Sequence, residues 1–267
     1  RKKVLAVDIG TNGEVLLFGE DRDFACSAAA GPALEGAAVL QGMGAVEGAI
    51  RKVALTGRFP MQDLACQVIG GGEAKGICGS GLISALSQLV RIGVIDESGY
   101  IRNAKELRRM GVPVRICQRV REDGEAGERR ILLSGEVLQK PVFLTASDIR
   151  QLQLAKGAIR AGIETLLQKA QIPAKELRRI YLTGSFGNSL SAEDVTGIGL
   201  LPETEKEKIT SVSNCVGMGA AMALLSGQVQ RKMEEDAEKI CHVELAGEPD
   251  FQERFLKEMN FPGNEVH

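Results

Sequence analysis

At 267 residues with 44% hydrophobic side chains, the chain can bury one sizeable core and at most two. Its 33 basic and 35 acidic residues give a net charge of −2 with no long single-sign block, which leaves no electrostatic footprint for nucleic acid or an anionic membrane. The longest apolar stretches, such as Val216 to Ser226, fall well short of a bilayer span, and six scattered cysteines with no C-x-x-C pair and only two histidines argue for reduced thiols in a cytoplasmic protein rather than a zinc or iron–sulfur site.

Arg1-Lys2-Lys3 runs straight into a strand, which is neither a signal peptide nor a membrane anchor, and with no initiator Met the expectation is a fragment of a larger protein. Val4 to Ile9 reads as a buried strand, Asn12-Gly13 as a turn tolerant of positive φ, and Val15 to Phe18 as the returning strand. After a second turn at 20–23, Phe24 to Ser27 completes a three-stranded meander. The region Ala28 to Ile50 is dense in Ala and Gly; its Gly31-Pro32-Ala33-Leu34-Glu35-Gly36 reads either as close approach to a ligand or as a tightly packed loop and helix.

Gly70-Gly71-Gly72 breaks the chain, and Gly76-Ile77-Cys78-Gly79-Ser80-Gly81 feeds a helix carrying Leu82, Ile83, Leu86, Leu89 and Val90, ending at Gly93. That glycine-rich loop is a candidate anion site at a helix N-terminus, with ordinary helix packing as its alternative. From about 94 to 144 charged residues dominate, and short strands at Val114 to Val120 and Arg130 to Leu133 suggest a peripheral insertion with a solvated face.

Thr145-Ala146-Ser147-Asp148 is a capping-box pattern; the helix that follows places Ile149, Leu152, Ala155, Ile159, Ile163, Leu166 and Leu167 on one side until Pro173. Ile180 to Gly184 is a short buried strand with Ser185 to Asn188 as its loop, Val216 to Val229 a further apolar helix, and Pro249 to Met259 a helix whose aromatic residues belong to the core. Helices alternating with strands after an antiparallel meander make this an α/β chain.

Three segments carry possible chemistry. Asp8-Ile9-Gly10-Thr11-Asn12-Gly13 places a carboxylate and two glycines at the tip of a strand-turn-strand unit. Backbone N–H groups there would form a concave nest for phosphate, with Asp8 holding Mg²⁺ through its water shell or orienting a water; the alternative is a plain hairpin capped by Asp8. The G-x-G-x-x-G fingerprint is not met, and the strand leads to another strand and not to a helix, which counts against a dinucleotide site. The second segment is the 76–81 loop. The third, Tyr181-Leu182-Thr183-Gly184-Ser185-Phe186-Gly187-Asn188, ends a strand in small residues against which a base and its ribose could rest.

The order of D-x-G-T, long helix, T-G-S and the late Ser213-Asn214 with its Gly-Ala helix resembles the second phosphate loop, adenosine loop and second connecting helix of the actin-like ATPase superfamily, which shares a ribonuclease H-like fold. The segments VDIGTNGEVLL, ACSAAAGPALEG, GICGSGLI, DIRQLQLAKGAIRAGI, LTGSFGN and GMGAAMALLSG together are similar to the C-terminal domain of the reductive activators of corrinoid proteins, over nearly the whole chain. That resemblance implies a single actin-like lobe over 1–267, and an activator in which ATP hydrolysis drives reduction of a cobalt(II) corrinoid to cobalt(I). It implies a [2Fe–2S] ferredoxin domain outside this chain, and a corrinoid protein or corrinoid methyltransferase as partner.

By the same resemblance Asp8 is the catalytic and Mg²⁺-facing carboxylate, with Gly10, Thr11, Asn12 and Gly13 facing phosphate. Gly184, Ser185, Gly187 and Asn188 would face the adenosine, with Lys156 near the base. The superfamily also needs an earlier phosphate loop on a companion lobe, which this chain lacks, and the ferredoxin cysteines are absent. A non-catalytic docking module for the corrinoid protein, a small-molecule kinase of the same superfamily and a homodimer remain alternatives to weigh.

Overall fold

The computed structural model describes residues 3–123, 127–135, 140–184 and 190–263. Strands β1 (Val4–Ile9), β2 (Gly13–Phe18) and β3 (Asp23–Ala28) form the expected antiparallel meander. Three later strands join it: β10 (Arg179–Gly184) lies parallel to β1, β11 (Ile209–Ser211) parallel to β10, and β12 (Ile240–His242) parallel to β3. The sheet order is therefore β11-β10-β1-β2-β3-β12. Alternation along β1 and β2 sends Leu5, Val7, Ile9, Val15 and Leu17 to one fully buried face.

Helix α4 (Ala146–Ala170) covers that face, packing on β2 and β3 through Ile159, Ile163 and Leu166. Each such side chain removed from water contributes about 1.5–3 kcal/mol. Its start is the capping box read from the sequence: Asp148 N–H donates to Thr145 Oγ1 at 3.2 Å, and Thr145 N–H donates to Asp148 Oδ2 at 2.9 Å. Asp148 is buried, and its other oxygen accepts from Leu40 N–H at 2.8 Å, which ties the 28–50 region to the helix. Asp148→Ala, which strands the buried Thr145 N–H and the part-buried Leu40 N–H, should cost about 2–4 kcal/mol in urea unfolding.

A second sheet of β4 (Ala49–Thr56), β5 (Asp63–Val68) and β6 (Gly76–Ile77), in the order β5-β4-β6, packs on α1 (Gly79–Arg91). The 76–81 loop is a packed helix start, as its alternative reading had it. Gly79, Ser80 and Gly81 are buried, Cys78 N–H donates to Ile50 O, and Ser80 Oγ donates to Arg51 O.

The 94–144 stretch departs from its reading in two respects. Val114–Cys117 is one helical turn, α3, begun at Pro113, and not a strand; α2 (Ala104–Arg109) precedes it. Strands β7 (Val120–Arg121), β8 (Arg130–Ser134) and β9 (Val142–Thr145) form a third sheet, and Leu107, Ile116, Ile131, Leu133, Val142 and Leu144 are buried in the main core. Among the described residues most charged side chains of the stretch, including Lys105, Arg108, Arg109, Arg115, Arg121 and Glu122, are exposed as a solvated face, whereas Arg119 turns inward and bonds Asp63 at 2.5 Å and Leu64 O at 3.0 Å.

The apolar segment after Asn214 divides into α6 (Cys215–Leu225) and α7 (Gly227–Lys239), because Ser226 leaves helical geometry and accepts from Val229 N–H as a new N-cap. Between them in the chain and α4 stands α5 (Ala192–Gly197); α8 (Phe251–Glu258) closes the fold against α4. On α6 the apolar side chains face outward, with Leu224 and Leu225 each 88% exposed. No helix among the described residues is long and apolar enough to cross a membrane.

Candidate functional site

Pleat alternation that buries Val7 and Val15 turns their neighbours Asp8 and Glu14 to the opposite face of the sheet, away from α4. Asp8 is paired in register with Glu14 on β2 and with Thr183 on β10, and Glu14 is paired with Ser27 on β3. Four polar side chains thus form one row, Thr183-Asp8-Glu14-Ser27, across adjacent strands. Ser27 Oγ donates to Glu14 Oε1 at 3.3 Å.

Two carboxylates directly opposite one another repel, a destabilising pair for a sheet. Burial lifts the Asp8 carboxyl above its ordinary range, the Glu14 charge adds to this, and the Thr183 hydroxyl acts in the opposite sense. That hydroxyl is itself buried and makes no well-aligned hydrogen bond, an arrangement that folded proteins rarely leave unanswered.

The turn beside the row is Gly10-Thr11-Asn12, because Ile9 already pairs with Gly13. Asn12-Gly13 is therefore not the positive-φ turn expected, and neither residue has φ > 0. Gly13 serves another purpose: a Cβ there would lie 2.4 Å from Ile159 Cγ1, so its absence lets α4 touch the back of the turn. Gly10 N–H donates inward to Asn12 O at 2.9 Å, and Thr11 Oγ1 donates to Glu35 Oε2 at 2.8 Å. A Cβ on Gly10 would meet only Asn12 O, at 3.8 Å, which leaves its outer side open to a ligand.

Gly184 ends β10 beside Ile9 with φ +115°, and a Cβ would stand 2.2 Å from the Ile9 carbonyl oxygen. Ser185, Gly187 and Asn188 lie outside the described residues. The structure thus brings Asp8, Gly10, Thr11, Asn12, Gly13 and Gly184 together at the ends of β1, β2 and β10.

Lys156 is not part of this group. It sits on α4, which covers the other face of the sheet, is 1% exposed, donates to Asn260 O, and has its Nζ 5.4 Å from the centre of the Phe261 ring. Burial pushes its ammonium down to about 7, with Arg160 pushing the same way and Glu258 pulling back. The sequence reading had passed over Glu14 and Glu35 as site residues. The signal for both was present: Glu14 is one strand-turn-strand register from Asp8, and Glu35 closes the Gly31–Gly36 segment flagged for close approach.

Three comparisons with known proteins bear on this arrangement. The family model described as the C-terminal domain of RACo, the ASKHA domain, matches residues 2–267. The chain is similar to the corrinoid activation enzyme RamQ of Eubacterium limosum, 32% identical over 271 residues, covering 99% of the chain and 44% of that protein. It is also similar to a [Co(II) methylated amine-specific corrinoid protein] reductase of Methanosarcina barkeri, 28% identical, covering 96% of the chain and 46% of that protein. Among solved structures, a reductive activator for corrinoid, iron–sulfur protein superposes with a TM-score of 0.83 at 35% identity, covering 100% of the chain and 41% of the other. The chain spans less than half the length of the relatives it matches.

Proposed function

From the premise that this chain belongs to the family of RACo C-terminal ASKHA domains, we propose that it is the nucleotide-binding lobe of an activator that couples ATP hydrolysis to reduction of a corrinoid protein or methyltransferase. In the overall balance ATP and water give ADP and phosphate, while one electron takes cobalt(II) to cobalt(I). That electron comes from a donor outside this chain, the [2Fe–2S] domain implied by the resemblance.

The observation that carries the reading is the opposed Asp8–Glu14 pair beside the buried Thr183 hydroxyl, which makes no well-aligned hydrogen bond. A Mg²⁺–phosphate group answers all three at once, because Mg²⁺ binds through one or two carboxylates, retained waters and substrate oxygens. When bound, the ion neutralises charge on the phosphates. Asp8 and Glu14 would hold its water shell, and Thr183 would donate to a ligand oxygen or water. The open side of Gly10 would admit the phosphate, and Gly184 would bring the adenosine loop against the end of β1. Asp8, at the end of β1 beside the open side of Gly10, is also the group that would orient the attacking water.

The test is Mg-ATP titration and ATPase assay of the full-length protein and its Asp8→Asn variant. The variant should lose hydrolysis by about 100-fold or more, yet melt no lower than wild type, since it removes a like-charge contact from the sheet. Equal loss of activity and melting temperature would mean Asp8 is structural and sink the assignment. Corrinoid-protein affinity that ignores ATP would mark the lobe as a docking module, and a phosphorylated small molecule would mark a kinase.

A further inference from the structure

A cavity of about 880 Å³ opens on the side of the molecule away from the Asp8 row. Its walls come from the end of α1, from α4, α5, the turn at 199–204 and the segment 257–263. Five basic side chains line it against three acidic ones, and of the acids Glu193 is engaged by Arg91 at 3.1 Å and Glu258 faces Arg160 at 3.7 Å.

Two buried polar groups on this wall are incompletely answered. Lys156 carries three N–H donors, and its bond is to the single carbonyl of Asn260; among the described residues no carboxylate lies within ion-pair distance of it. Thr204 Oγ1 is buried without a hydrogen-bond partner. A buried, unpaired ammonium costs several kcal/mol, and an unanswered hydroxyl about 1–3 kcal/mol. Both costs fall if one acceptor-rich, negatively charged group enters between them. An apolar strip of Phe261, Leu201 and Pro262 lies on the same wall, and the volume matches that of small-molecule sites.

We propose that this cavity binds a small organic anion, a phosphate ester or carboxylate, whose charged end is held by Lys156 and the Thr204 hydroxyl, Arg160 being engaged by Glu164 at 2.7 Å, and whose apolar part lies along Phe261 and Leu201. The site is separate from the nucleotide site proposed above: α4 stands between the sheet and the cavity, and none of the residues in the Thr183-Asp8-Glu14-Ser27 row lines it. Occupied, it would tie α4 and α5 to the 257–263 segment, which gives an effector a grip on the helix that backs the phosphate turn.

The probes are phenyl phosphate and benzoate, with inorganic phosphate as the anion without an apolar part, titrated calorimetrically into the full-length protein. At least one organic probe should bind saturably and more tightly than inorganic phosphate. Its affinity should fall about tenfold or more in Lys156→Met and in the isosteric Thr204→Val, the loss expected for a charge-assisted hydrogen bond. Asp8→Asn should leave it unchanged whether or not the nucleotide reading holds. Whichever probe wins identifies the headgroup. Absence of saturable binding by both, or binding that persists unchanged in Lys156→Met, overturns the proposal; should that variant fail to fold, Thr204→Val decides in the same way.

Discussion

Lys156→Met should flatten the dependence of stability on pH between pH 7 and pH 9. In the folded protein the Lys156 ammonium is pushed down to about 7, against 10.5 when free. Between these values the unfolded chain holds a proton that the folded one has released, so stability rises with pH, by about 2–3 kcal/mol over the two units. Below pH 7 both states are charged and the cost of burying the ammonium is fully present, so the Met variant should be the more stable there. Above pH 9 burial of Cys26 and Cys66, whose thiols are pushed up to about 12 and about 11, reverses the trend. Those thiols stay protonated in the fold while the unfolded chain ionises, and stability then falls. Urea unfolding at pH 6, 7, 8 and 9 reads the difference; parallel curves for the two proteins would show that the ammonium keeps its charge in the fold.

The second large effect is expected at Gly184. Its φ of +115° is closed to residues with a side chain, and the Cβ of Gly184→Ala would press on a backbone oxygen, Ile9 O, with no rotamer to yield. The variant should lose about 3 kcal/mol or more and, with it, Mg-ATP binding. Gly13→Ala makes a useful contrast, because its Cβ meets a side chain, Ile159, rather than a backbone atom, and Gly13 has no positive φ to forbid the substitution. A milder loss there, with nucleotide binding retained in part, would show that β10 against β1 is the stricter junction. Equal melting curves for Gly184→Ala and wild type would refute this geometry.

Most of the frame was legible because it is written in local pattern. The apolar alternation of Val4 to Ile9 fixed β1 to the residue, and Thr145 with Asp148 announced α4, whose length followed from the periodic Leu and Ile positions. Val114 to Val120 misled because V-R-I-C-Q-R-V alternates like a strand, while Pro113 in front of it starts a helical turn. β4 and β5 went unread, since Arg51, Lys52 and Gln67 on their outer faces dilute the apolar signal. The site was half legible. Asp8 and the glycines form a contiguous motif, but the partnership of Asp8 with Thr183 joins residues 175 positions apart through a parallel pairing that no local pattern encodes. Lys156 is buried by the return of the chain at 257–263, through a contact with Asn260, 104 positions away, that no local pattern encodes.

Helix α4 spans 25 residues, about 38 Å at the α-helical rise, with no Pro inside it. One end is clamped by Thr145, Asp148 and the Leu40 amide, its middle bears on Gly13, and its far end meets the β2–β3 turn, where Ile172 approaches Gly19. Such a rod has few soft joints at which a displacement can be absorbed. A push on the turn at Gly10–Asn12 is therefore carried as a tilt of the whole beam, felt together at the 28–50 region and at the opposite end of the sheet. The lobe is geared rather than hinged at this point, and hydrogen exchange along α4 should speed or slow as one block.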